Sequence, residues 1–106
     1  MAKYLFRAHY VGQGLEGLLK EGGSARREAA AKVISSVGGK LEWFYFAFGE
    51  DDVIGVFEVP DAATAAAVSL AVNVSGTLAS KLTPLITPEE VDVAARKKVP
   101  FRPPGQ

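Results

Sequence analysis

The chain has 106 residues, of which 48% are hydrophobic, and twelve basic residues balance twelve acidic ones. That is one domain's worth of sequence with enough apolar material for a core, and a neutral balance without a basic run excludes an electrostatic footprint for nucleic acid. The lack of cysteine excludes a disulfide scaffold, thiolate catalysis and sulfur-ligated metals.

Residues 3–11, KYLFRAHYV, alternate with strand period: Tyr4, Phe6, Ala8 and Tyr10 on one side, Leu5, Arg7, His9 and Val11 on the other. Leu15, Leu18 and Leu19 then give a turn or two of helix, interrupted by Gly22 and Gly23. Ser24 is the expected N-cap of a longer helix whose apolar face is Ala25, Ala29, Val33, Ile34 and Val37. Gly38 and Gly39 close it, where a left-handed residue is needed. Two β-rich runs, 41–48 and 53–59, flank the turn Gly49-Glu50-Asp51-Asp52 and read as a hairpin. Asp61 caps an alanine-rich helix that Gly76 ends, and residues 77–86 form a fourth strand with Pro84 at an edge or a strand end. Thr87 and Glu90 form a capping box with Pro88 at the first helical position, so a short final helix follows. Residues 1–98 are read as one domain and 99–106 as an extended tail.

The order βαββαβ plus a C-terminal helix is the ferredoxin-like pattern, an α+β fold with a four-stranded antiparallel sheet. The start MAKYLF lacks the apolar core and cleavage site of a signal peptide, and no run approaches the ~18 residues of a membrane span. The expected location is cytoplasmic, without a membrane partner.

Pairing Phe48 with Val53 across the turn assigns the faces. Phe44, Phe46, Phe48, Val53, Gly55, Phe57 and Val59 then lie beneath the helices, with Glu42 at the end of that face. Trp43, Tyr45, Ile54, Val56 and Glu58 lie on the other face with Leu5, Arg7 and His9. A bulge in the hairpin would flip part of this assignment. The second face is too apolar to stand in water, and two helices cannot cover both sides of the sheet, so a second copy is the expected cover.

The segments YVGQG, GGKLEWFYFAFG and VFEVPD, within a match running from Lys3 to about Lys98, resemble the GYD-domain family of the dimeric α/β-barrel superfamily. Gly49 and Asp52 of the name-giving motif are present, and Asp51 stands where the family has its tyrosine. The resemblance implies sheet-to-sheet pairing into a dimeric α/β barrel, as a homodimer or a higher homo-oligomer. It implies no biochemical activity and no cofactor. Catalytic residues stay unassigned.

Candidate ligand-binding residues are Arg7, His9, Trp43, Tyr45, Glu58 and Lys81. The favoured reading of Arg7 and Glu58 is a structural ion pair across neighbouring strands, because an unpaired buried charge is costly, with His9 satisfied by hydrogen bonds. The competing reading is a pocket walled by Trp43 and Tyr45, in which Arg7 holds a small organic or anionic ligand and His9 moves protons. Lys81 joins this group only if the fourth strand turns it to the same face; otherwise it is a lysine that blunts a sheet edge. Arg26 and Arg27 sit in the first turn of their helix, where the dipole disfavours cations, and mark an anion-facing or interface role or tolerated exposure. The acidic run at 50–52 lacks the spacing of a calcium loop, so no metal site is expected, and the WFYF run lacks the interleaved basic residues of a base-stacking platform. Three readings follow: an oligomer that binds a small organic or anionic ligand in the barrel or under its helices, a small cofactor-free enzyme, mono-oxygenase- or isomerase-like, using His9 as acid/base and Arg7 as anchor, or a purely structural or regulatory oligomer.

Overall fold

Strand β1 (Ala2–Tyr10) runs through the middle of the sheet, and its alternating side chains set the two faces that the rest of the chain must cover. In the computed structural model, which describes residues 1–106, it is followed by α1 (Gly14–Glu21), α2 (Gly23–Ser36), β2 (Lys40–Phe46), β3 (Val53–Val59), α3 (Ala62–Val74), β4 (Leu78–Leu85) and α4 (Pro88–Arg96). The strand order is β2-β3-β1-β4 and every pairing is antiparallel. This is the ferredoxin-like arrangement expected from the element order.

Beneath α2 and α3 the sheet presents aromatic rings. Tyr4 stacks on Phe57 at 5.8 Å between ring centroids, and Phe6 tilts against Phe44 and Phe57 at 5.9 and 6.0 Å. Phe57 and Val59 are fully buried, with Ile34 from α2 and Ala65 and Val68 from α3 closing over them. Gly55 makes room for this cluster: a Cβ there would stand 2.5 Å from the Phe6 ring. Alanine on the inner side of α3 lets that helix approach closely.

The helix ends follow the capping rules with one exception. Asp61 accepts from the Thr64 amide at 2.8 Å, and Thr87 and Glu90 exchange the reciprocal bonds of a capping box at 3.0 Å. Gly38 and Gly76 take positive φ just past α2 and α3, as a left-handed terminator requires. Ser24, by contrast, does not cap α2. The helix starts two residues earlier, from Gly22 at φ 87°, with no side-chain cap, because the double glycine already turns the chain sharply out of α1.

The hairpin differs from its expected register. Phe46, not Phe48, pairs with Val53, so the connection spans 47–52 and Phe48 is fully exposed instead of lying under the helices. The shift is two residues, which leaves Phe44, Phe46, Val53, Gly55 and Phe57 on the expected face. A bulge between Leu41 and Trp43 then exchanges the next two positions. Leu41 turns under the helices to join the core cluster, and Glu42 turns away to pair with Lys3 at 3.1 Å. The loop is anchored by Asp52, whose amide donates to Ala8 O and whose carboxylate accepts from the Tyr10 amide, both at 2.9 Å.

Helix α4 stands apart, and every residue in it is exposed. With the tail it stretches the molecule to 56 Å along its longest axis, and the radius of gyration is 16.9 Å, against about 13 Å for a compact chain of this length. No helix is long and apolar enough to cross a membrane.

Candidate functional site

The face of the sheet away from the helices carries all six residues singled out in the sequence, and the register places them in rows. Trp43, Val56, Leu5 and Thr83 form one row across the four strands. Tyr45, Ile54, Arg7 and Lys81 form the next, so Lys81 does lie on this face, directly beside Arg7. His9 follows on β1, opposite Ala79. The two aromatic side chains contact each other at 5.6 Å between centroids and remain 41% and 67% exposed for Trp43 and Tyr45.

Glu58 is elsewhere. It sits opposite Lys3 on β1 and Lys40 on β2, four positions along the strand from Ile54, which is the residue facing Arg7. The expected Arg7–Glu58 ion pair is therefore not formed within the protomer; the ion pairs present are Lys3–Glu42 and Arg26–Glu21. The error lay in register: sharing a face is a matter of parity, whereas contact also requires matching positions along the strands. Arg7, His9 and Lys81 form an exposed basic strip instead, and like charges directly across a sheet repel.

A second candidate lies on the opposite side of the sheet. Between α2, α3 and the aromatic floor is a cavity of about 230 Å³. Phe6, Phe44 and Phe57 form its base, Ala29, Ala30 and Val33 of α2 one wall, and Val68 and Val72 of α3 the other. The cavity follows from the side chains of the helices. Small residues on α2 and α3 lie over large rings on the sheet, and the alanines do not reach far enough to fill the space between them.

Few polar groups meet this cavity. The Ser80 hydroxyl donates to Asn73 Oδ1 at 3.0 Å, and the Ser69 hydroxyl accepts from Asn73 Nδ2 at 3.5 Å. Arg26, in the first turn of α2, is different. Its Nε is buried without any hydrogen-bond partner, and its Nη1 approaches Glu21 Oε2 only to 3.7 Å. Arg26, Tyr10 and Leu78 also line a smaller cleft beneath α1, so the polar end of the cavity faces that helix. In the sequence Arg26 stood out only for its unfavourable place at a helix start. The cavity itself had no signal there, since it depends on which alanines face which rings.

The acidic loop does not assemble a set of three metal-ligating side chains. Asp52 is engaged by the Tyr10 amide. The Asp61 carboxylate is held below its ordinary 3.8 by the hydroxyl and amide of Thr64. It serves helix α3 and lies away from both candidate sites.

A family model described as the GYD domain matches residues 4–95, which include both faces of the sheet and all of α4 but its last residue. No curated protein and no solved structure gives a significant match to the chain.

Proposed function

The chain belongs to the GYD-domain family, and we propose that it is a self-associating protein that binds a small organic molecule in the cavity between its helices and its sheet. The observation that carries this reading is the cavity itself, apolar on its floor and walls and polar at one end. Binding sites for small molecules have that composition: apolar surface supplies most of the affinity, and a few polar groups fix the orientation. The size suits a ring or a short chain, since a dry apolar cavity of about 150 Å³ already accommodates benzene.

Self-association is supported by the other face. Trp43, Tyr45, Leu5 and Ile54 form a continuous apolar area that no element of the same chain covers. A second copy placed sheet to sheet buries it and gives the barrel that the family resemblance implies. In such a pair Arg7 and Lys81 of one copy need acceptors, and Glu58, a carboxylate on the same face with no ion pair in its own chain, is available from the partner copy. The catalytic reading of His9 has less behind it. The side chain is exposed and no carboxylate of its own chain lies within hydrogen-bonding distance to orient it.

A fragment screen by ligand-observed nuclear magnetic resonance, followed by amide shift mapping, tests the cavity. Shifts centred on Ala29, Ala30, Val33, Val68 and Val72 are expected. Hits mapping to Arg7, His9 and Lys81 alone would move the ligand site to the open face.

A further inference from the structure

We infer that the cavity beneath the helices selects small monocarboxylates with an apolar body, and that Arg26 is the residue that receives the carboxylate. This rests on the proposal that the cavity is a ligand site, and it adds the chemical class of the ligand.

The inference comes from an unsatisfied donor. A buried N–H normally has an acceptor, because a stripped donor without one is costly. Arg26 Nε is buried and has none, although its half-buried side chain lines a mostly apolar chamber. Glu21 engages only the opposite, Nη1 corner, at 3.7 Å, beyond good hydrogen-bonding distance. The unused edge is the one formed by Nε and Nη2. That edge presents two parallel donors, the geometry that a carboxylate matches with its two oxygens. The surroundings agree in charge: α2 has no acidic residue in its first turn and no side-chain cap, so the positive end of its dipole is uncompensated within the helix. Most of the remaining lining, Phe6, Phe44, Phe57 and the α2 alanines among it, accepts carbon, and the Ser69 and Ser80 hydroxyls are already bonded to Asn73. A dicarboxylate or a sugar phosphate would have to bury polar groups against these rings. A benzoate-sized or medium-chain aliphatic acid would not.

The experiment compares matched probes: benzoate against benzyl alcohol, and octanoate against octanol, titrated into the full chain and read by amide shifts and calorimetry. Both acids are expected to bind more tightly than their neutral counterparts. Arg26→Gln should weaken the acids at least about tenfold, the worth of a charge-assisted hydrogen bond, and leave the alcohols unchanged. Glu21→Gln, which frees the guanidinium without touching the chamber, should strengthen the acids. Arg7→Gln should change nothing. Acids and alcohols binding equally, in a cavity whose amides shift, would overturn the carboxylate assignment and leave the cavity reading standing. Acids that lose affinity in Arg7→Gln and keep it in Arg26→Gln would overturn it in favour of the open face. If none of the four probes moves the α2 and α3 amides, and Ala30→Phe, which fills the chamber, folds with undiminished stability, both this inference and the cavity reading fail.

Discussion

At the scale of single residues, two aromatic side chains that look equivalent in the sequence have opposite roles. Phe57 is buried at the centre of the ring cluster, and Phe48 lies fully exposed beyond the end of β2. Phe57→Ala should therefore destabilise by about 3–5 kcal/mol, as large truncations in a packed core do, and Phe48→Ala should stay within about 0.5 kcal/mol. Equilibrium denaturation in urea measures both; equal losses would mean that the hairpin register is the longer one. Asp61 gives a prediction in pH. Its carboxyl titrates below its ordinary 3.8 when folded, because Thr64 hydrogen bonds favour the charged form. A depressed folded value contributes stability above the unfolded value and loses it as pH falls through the folded one. Asp61→Ala should accordingly lower the melting temperature by a constant amount at neutral and mildly acid pH. The difference from the parent should shrink as the pH drops below 3.8. A gap that persisted at low pH would assign the effect of Asp61 to something other than its charge.

At the scale of elements, the sequence carried the strands, the capped helices and their order, because those depend on local periodicity and local hydrogen bonds. Thr87, Glu90 and Pro88 specify the start of α4 with no help from the rest of the molecule, and the structure follows them. The hairpin shows where local signals stop. Alternation through WFYF gives the same parity for a loop of four residues or of six, so the faces of Phe44 and Phe46 were legible and the pairing was not. The bulge at Glu42 is less visible still. It is favoured by two tertiary contacts, Leu41 reaching the core and Glu42 reaching Lys3, and neither partner is near in sequence. The same register that separates Arg7 from Glu58 places Arg7 beside Lys81, which makes a charge reversal informative. Lys81→Glu should stabilise the protein by about 0.2–1 kcal/mol by replacing a cross-strand repulsion with an attraction. Thermal melts at low and high salt would show it, with the gain reduced at high salt; a loss of stability would indicate that Lys81 already has an acceptor on another copy.

At the scale of the whole molecule, the chain is lopsided. One face of the sheet has helices and a chamber, the other has Trp43 and Tyr45 against solvent. Sedimentation velocity at micromolar concentration should report at least a dimer, and Trp43→Glu should shift the population toward monomer while helix content by circular dichroism is kept. A monomer at all concentrations would refute the pairing and leave the cavity untouched, since the two sites lie on opposite sides of the sheet. The exposed apolar face was legible in the sequence, because an excess of apolar residues on one face is a matter of counting. The chamber was not, because a void is defined by what fails to meet across it.

The two outer strands limit how such a protein can accumulate. Along β2 the bulge at Glu42 interrupts the row of backbone donors and acceptors, and along β4 Pro84 removes a donor while Lys81 adds a charge. A further strand therefore meets an irregular template on both flanks, and lateral stacking of the kind that builds fibrils has nowhere regular to start. Under the pairing proposed above, contact between copies is directed to the broad face, where a two-fold arrangement would bury the apolar surface. On that proposal the chain keeps an aromatic surface exposed while newly made and ends in a closed particle rather than an open-ended polymer.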